Sequence, residues 1–272
     1  MNYLENLLGN EYMKIAILYI CTGKYDIFWK EFYNSCEKYF FTTECKDYYV
    51  YTDSDNIYNQ KSSNVHKIYQ KTLGWPGNTL YRYHLFAANA KELEIYDYIF
   101  FFNANVEFKQ NIGEEILPKT DELIVVQHPG FYNKTNNKFT YERNCKSTAY
   151  IPHGKGKVYV CGGVNGGTAE VFLKLIDTLK YNIDQDDENK FIALWHDESH
   201  INKYILNNKY KLLSPAYAYP EGWKLPFECK ILIRDKEKYG GHNFLRDKKE
   251  SCYDKIICKL KKYIKCVWER LC

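Results

Sequence analysis

Two methionines, seven prolines and not one cysteine pair in C-x-x-C spacing are the first things missing from this 272-residue chain. Ten cysteines are present, but their scattered positions fit neither a disulfide framework nor a zinc ribbon, and reduced structural thiols are the expectation. No apolar run approaches the roughly eighteen residues of a membrane span. Residues 1–10 carry Glu5 and no basic stretch, so no signal peptide is expected and the chain is expected to stay in the cytosol. Internal repeats and low-complexity linkers are also lacking. What the chain does have is 45% hydrophobic and 17% aromatic residues, enough for one sizeable core in a single domain with two lobes.

Charge of one sign is scarce too, except in one place. The formal excess is +4, and residues 251–272 carry six basic against two acidic side chains, which accounts for all of it. The remainder is neutral, and no nucleic-acid partner is expected. Within 251–272 apolar residues recur at three- and four-residue steps with lysines opposite, the pattern of a basic amphipathic helix. Such a helix reads as a membrane-surface element or as a helix packed on the protein's own body. The segment 247–272 is set apart as this helix, and 1–13 as an N-terminal extension.

Between them strands and helices alternate. Strands are expected at 14–20, 47–53, 96–102 and 122–128, and helices at about 26–40, 79–94, 168–181 and 197–207, with aromatic and glycine-rich loops over 129–167. This order predicts an α/β fold with a mainly parallel central sheet, whose ligands gather at the carboxyl ends of the strands. At one such end the apolar run "FFF" stops at Asn103-Ala104-Asn105. An acidic pair there would hold a divalent ion on a nucleotide diphosphate. Amides keep a carbonyl acceptor and add donors but lack the charge, so they suit a phosphate or sugar better than a metal. Read alone, Asn-x-Asn is also simply a turn.

Seven segments, in order, carry a resemblance: "YVYTDS" (49–54), "HPGFYNK" (128–134), "FTYERN" (139–144), "STAYIP" (147–152), "CGGVNGG" (161–167), "WHDESHINKY" (195–204) and "LSPAYAYPEGW" (213–223). Together they resemble glycosyltransferase family 6, the retaining family of the mammalian blood-group A and B transferases and α1,3-galactosyltransferase. The resemblance covers roughly residues 14–246 and implies a GT-A fold with a Rossmann-like sheet, a nucleotide-binding lobe over about 14–127 and an acceptor lobe over about 128–246. Asn103 and Asn105 resemble the family's bacterial branch, which works without a metal, so no cofactor is expected.

By the same resemblance Ile20, Cys21, Thr22 and Tyr25 form the nucleotide turn, and Arg82 reaches the donor sugar and diphosphate. Cys161, Gly162 and Gly163 face the sugar's C2 substituent. A glycine at 163 leaves room for an N-acetyl group, which points to UDP-GalNAc as donor; Cys161 departs from the mammalian residue. Glu198 lies under the anomeric carbon and is the catalytic candidate, as nucleophile or as the anion beside an oxocarbenium-like ion. Asp197 contacts sugar hydroxyls. Trp195, His128, Thr140 and Glu221 belong to the acceptor side, and Lys236 and Arg246 close over the diphosphate in place of a metal.

The implied reaction is transfer of α-GalNAc to O3 of a β-galactoside, α1,2-fucosylated in blood-group fashion, with a lipid-linked glycan as one carrier. The nearest competing reading is an α1,3-galactosyltransferase using UDP-Gal. From other classes come a zinc hydrolase on His196 and His200, which lacks the glutamate after the first histidine, and a glycan-binding protein without turnover.

Overall fold

The computed structural model describes residues 12–246. The basic stripe at 251–272 and most of the 1–13 extension lie outside the described residues. Ten strands run in chain order: β1 (Lys14–Ile20), β2 (Cys45–Thr52), β3 (Val65–Tyr69), β4 (Tyr98–Phe102), β5 (Val106–Phe108), β6 (Leu123–Gln127), β7 (Val160–Thr168), β8 (Tyr210–Leu213), β9 (Tyr219–Pro220) and β10 (Ile231–Ile233). The helices are α1 (Trp29–Tyr39), α2 (Gly77–Leu80), α3 (Arg82–Ala87), α4 (Ala90–Leu93), α5 (Ala169–Glu188), α6 (Asp197–Tyr204) and α7 (Gly241–Leu245).

Seven strands build one sheet in the order β3-β2-β1-β4-β7-β6-β8. Strands β3, β2, β1 and β4 are mutually parallel, β7 runs against both β4 and β6, and β6 is parallel to β8. The sheet is therefore mainly parallel, as expected. Strands on both sides of residue 127 belong to it.

Alternation along the strands decides which side each residue packs on. Ile15, Ile17 and Tyr19 of β1, with Phe100 and Phe102 of β4, meet Trp29, Phe32 and Cys36 of α1. Ala16, Leu18 and Phe101 face the other way, towards Phe86 of α3 and Phe172, Leu175 and Leu179 of α5. The result is a sheet between two helical layers, the arrangement that alternating strands and helices require. Truncating a fully enclosed ring such as Phe102, 1% exposed, to alanine is expected to cost about 3–5 kcal/mol.

Several elements differ from the expectation. The helix anticipated over 79–94 is three short helices, α2, α3 and α4. That expected over 26–40 begins with a 3-10 turn at Gly23–Phe28 before α1. The largest difference is β7, whose sequence VCGGVNGGT reads as loop yet forms the central antiparallel strand. Its glycines conceal the period-2 pattern by which strands are recognised. A small second sheet joins β5, β10 and β9.

Candidate active site

A cavity of about 300 Å³ opens at the carboxyl ends of β1 and β4. Because β7 is antiparallel to β4, it is the beginning of β7 that meets this edge, and the Asn103 N–H donates to Gly163 O at 2.8 Å. Ile20, Thr22 and Tyr25 line one part of the cavity, Asn103, Ala104 and Asn105 another, and Gly162 and Gly163 a third. Trp195, His196, Asp197 and Glu198 enter from the start of α6, and Lys236 and Arg246 from the end of the described chain.

The turn that follows β1 is fixed by its neighbours. Thr52 Oγ1 donates to Cys21 O at 2.8 Å, and the Gly23 N–H donates to Asp53 Oδ1 at 2.7 Å. Tyr25 is thereby set beneath the Lys236 ammonium, which lies 5.3 Å from the ring centroid. Arg82 is 6% exposed and is gripped from four directions. Its Nε donates to Thr79 O, Nη1 donates to Gly162 O at 3.2 Å and Asn103 Oδ1 at 3.3 Å, and its plane lies 4.5 Å from the Phe101 centroid. Its Nε also lies 3.3 Å from Asp197 Oδ2, in a geometry that gives this oxygen no hydrogen bond.

The two carboxylates begin α6. His196, just before the helix, has φ 54° and ψ −127°, a backbone strain worth about 1–3 kcal/mol in a non-glycine residue. The turn is held by the Trp195 N–H on Ser199 Oγ at 2.9 Å and the Glu198 N–H on Trp195 O at 3.0 Å. Glu198 accepts at both oxygens, from the Tyr159 hydroxyl at 3.0 Å on Oε1 and the Gly162 N–H at 2.9 Å on Oε2. Burial nevertheless pushes its carboxyl up to about 7, with Asp197 adding repulsion. Burial pushes Asp197 up to about 6 against the pull of Arg82. Glycine at 162 permits this closeness, since a Cβ there would lie 2.9 Å from Asp197 Oδ2 and 3.3 Å from the Glu198 Cβ.

Opposing them are cations. Burial, with Arg246 and Arg82 nearby, lowers the Lys236 ammonium to about 8, and no carboxylate among the described residues ion-pairs with it. Arg246 sits 5.2 Å from the Trp75 ring centroid.

Five expected site residues lie outside the cavity lining. Residue 21 alternates away from Ile20 and Thr22, so the Cys21 thiol is fully buried in the core, where burial pushes it up to about 12. Cys161 likewise turns its Sγ to Val126 O. His128 packs edge-on to Tyr159 with Nδ1 accepting from the Gly130 N–H, and burial lowers its pKa to about 4. Thr140 lies against the Tyr159 phenol. The Glu221 carboxylate is engaged by the Asp235 N–H at 2.8 Å and Lys238 Nζ at 2.5 Å, so it braces the 3-10 turn Lys236–Tyr239.

Gly163 holds a further correction. A Cβ there would overlap Asn103 Nδ2 and lie 2.9 Å from its Cγ, so the space left by the glycine is filled by the Asn103 amide. His196 lines the cavity while His200 is fully buried, 3.7 Å from Asp186, which separates the pair that suggested a zinc hydrolase. Sequence reading gives His196 only as half of a zinc pair, and Trp75, Asn78, Thr79 and Tyr159 carry no role in it. For Trp75 the available signal was a tryptophan framed by glycine and proline; the others gave none.

Residues 1–247 match the sequence profile of Glycosyltransferase family 6. The chain belongs to that family. An O-antigen biosynthesis glycosyltransferase, WbnI, of Escherichia coli is 40% identical to it over 226 residues, 83% of this chain and 96% of the relative. Histo-blood group ABO system transferase 1 of Rattus norvegicus is 33% identical over 77% of this chain and 62% of the relative. Globoside alpha-1,3-N-acetylgalactosaminyltransferase 1 of Gallus gallus is 30% identical over 85% and 70%. The chain thus spans under two thirds of the rat transferase and nearly all of the bacterial one. For a family 6 glycosyltransferase, a nucleotide-sugar donor and a glycan acceptor are the reacting partners, and the α/β architecture is that of a GT-A fold. No helix among the described residues is long and apolar enough to cross a membrane.

Proposed function

We propose that this family 6 enzyme transfers α-GalNAc, with retention, from UDP-GalNAc to O3 of an α1,2-fucosylated β-galactoside, without a metal. The observation that carries this reading is a single cavity lined at once by the doubly hydrogen-bonded Glu198 and by the cations Arg82, Lys236 and Arg246. Transfer breaks the bond between the sugar C1 and the diphosphate, whose oxygen keeps the electron pair. Lys236 and Arg246 face the charge that accumulates there. Glu198 meets the positive charge at C1, either by bonding to it as a glycosyl ester or by standing beside it as an anion. The acceptor O3 then bonds to C1, on the ester route displacing the Glu198 oxygen with its electron pair, and the O3 proton passes to the released diphosphate. Asp197 Oδ2, buried and without a hydrogen bond, is an open acceptor for a sugar hydroxyl.

The amide turn supports a metal-free site through its donor chemistry. Asn103 Oδ1 already accepts from the Arg82 guanidinium, and Asn105 Nδ2 donates to Arg234 O at 2.7 Å. A fixed cation beside the first amide opposes a divalent ion there. Among the described residues no three His, Cys, Asp or Glu side chains gather as a metal site.

One observation favours a second donor. With Asn103 filling the space before Gly163, room for an N-acetyl group no longer follows from that glycine, and UDP-Gal fits the same machinery. UDP release with each donor and 2′-fucosyllactose, in excess EDTA and again with Mn²⁺, tests the reading. UDP-GalNAc turnover indifferent to EDTA upholds it, and turnover only with added metal overturns the metal-free part. The acceptor is further proposed to be a lipid-linked glycan at the inner membrane surface, reached through the basic stripe at 251–272. Unchanged partition onto anionic vesicles after deletion of that stripe refutes this.

A further inference from the structure

We propose that Tyr159 is a positioning residue for Glu198, its hydroxyl fixing which way the carboxylate faces and holding it ionised for the reaction. The proposal rests on the assignment of Glu198 given above. The geometry is closed on every side. The Tyr159 hydroxyl donates to Glu198 Oε1 at 3.0 Å while the Gly162 N–H donates to Oε2 at 2.9 Å, so rotation of the carboxylate about its last bond would break both. The phenol cannot swing away: Tyr159 is 1% exposed, and its ring centroid lies 4.5 Å from that of Phe131 and 5.4 Å from that of Tyr141.

The backbone on either side is pinned to the same helix. Asn202, 1% exposed, accepts the Val160 N–H at 3.0 Å on Oδ1, and its Nδ2 donates to Val160 O at 2.9 Å and to Glu198 O at 2.8 Å. One amide therefore ties the residue after Tyr159 to the residue that Tyr159 holds. A hydrogen bond to a carboxylate favours its charged form. That matters here because Asp197 beside Glu198 and the surrounding burial both oppose charge, with the Arg82 guanidinium a smaller counterweight. The other ionisable groups packed around the pair, Cys161, Tyr141 and His128, supply no hydrogen bond to Glu198.

Tyr159→Phe in the full chain keeps the ring and removes one oxygen. Two measurements read the result: kcat and KM for the UDP-sugar as functions of pH, and the ¹³C resonance of the Glu198 carboxyl, assigned by its loss in Glu198→Gln. Loss of one hydrogen bond to a charged group is expected to raise the Glu198 titration midpoint by about one pH unit. In the same variant kcat at neutral pH should fall about tenfold or more with KM nearly unchanged, because the contact acts on the reacting group and not on donor binding. A midpoint unmoved by the substitution, or a loss confined to KM, overturns the proposal. If the wild-type enzyme transfers from neither donor, the functional reading fails, and the carboxyl resonance still decides the role of Tyr159.

Discussion

The Asn103 amide occupies the space in front of Gly163 that a side chain on residue 163 would need. In the same position it accepts from Arg82, which also holds Gly162 O and faces Asp197. The amide turn, Gly162 and Gly163, and the first carboxylate are therefore one packed unit. A change at any of the three is felt at the other two.

Gly163→Ala should accordingly lower turnover with UDP-GalNAc and with UDP-Gal alike, by about tenfold or more, because Asn103 has to leave its contact with Arg82. Pairing it with Asn103→Ala removes the overlap, and the two losses should be markedly non-additive. Steady-state UDP release for the four proteins checks this. Additive losses, or a clean switch from one donor to the other, would show that residue 163 faces open space.

Ionisation makes Glu198 a source of instability that grows with pH. Its folded carboxyl is raised from 4.5 to about 7, so the native state binds a proton that the unfolded chain has released, and stability falls as pH rises from the lower value through the upper. Glu198→Gln should therefore melt higher than wild type above pH 7, by about 3 kcal/mol of unfolding free energy, with the gain vanishing below the unfolded value. Melting temperatures of both proteins across pH test it; a gain that shrinks as pH rises contradicts the sign.

The opposite sign applies to Lys236, lowered to about 8. Its charge is lost above that value in the free enzyme, while the reaction needs Glu198 ionised. The pH profile of kcat/KM is expected to be a bell with limbs near 7 and near 8, and Lys236→Ala should flatten the alkaline limb. Arg246→Ala should raise KM for the UDP-sugar about tenfold and, by relieving the repulsion on Lys236, move that limb to higher pH without abolishing it. An alkaline limb that survives Lys236→Ala would assign it to another group.

Glu221 gives a separate test because its carboxylate braces the turn that carries Lys236. Glu221→Gln is expected to weaken UDP-sugar binding severalfold, read by titration calorimetry with UDP, and to leave the acceptor KM nearly unchanged. An effect on the acceptor alone would restore the role expected from sequence.

How far the sequence could be read depended on where function and local pattern agreed. The first strand was placed at 14–20 because an uninterrupted apolar run bounded by polar residues has few other readings, and Lys14–Ile20 is that strand. Strand β7 was read as loop because Gly162 and Gly163 are there for closeness to Asp197, Glu198 and Asn103, a tertiary demand with no local signature. Thirteen of the eighteen expected site residues line one cavity, and five of these, Gly162, Gly163, Trp195, Asp197 and Glu198, lie within the segments that carry the resemblance. Cys21 and Cys161 were carried along with their neighbours, yet strand alternation turns their thiols inward. Tyr159 was missed because a buried tyrosine in an aromatic-rich segment looks like core until its hydroxyl is seen on Glu198.

Strands β6 and β7 are antiparallel neighbours, and the long excursion between them leaves and returns at adjacent points, with Gln127 paired to Val160 and the His128 N–H on Tyr159 O at 2.9 Å. Such a segment is a cassette with both ends clamped on one rung of the ladder. It can be lengthened, shortened or exchanged between related chains while the strands beneath it keep their register. The nucleotide pocket is assembled almost wholly outside that cassette. Exchange of that cassette is thus separated, by topology, from the nucleotide pocket everywhere but at Tyr159, where its last residue meets Glu198.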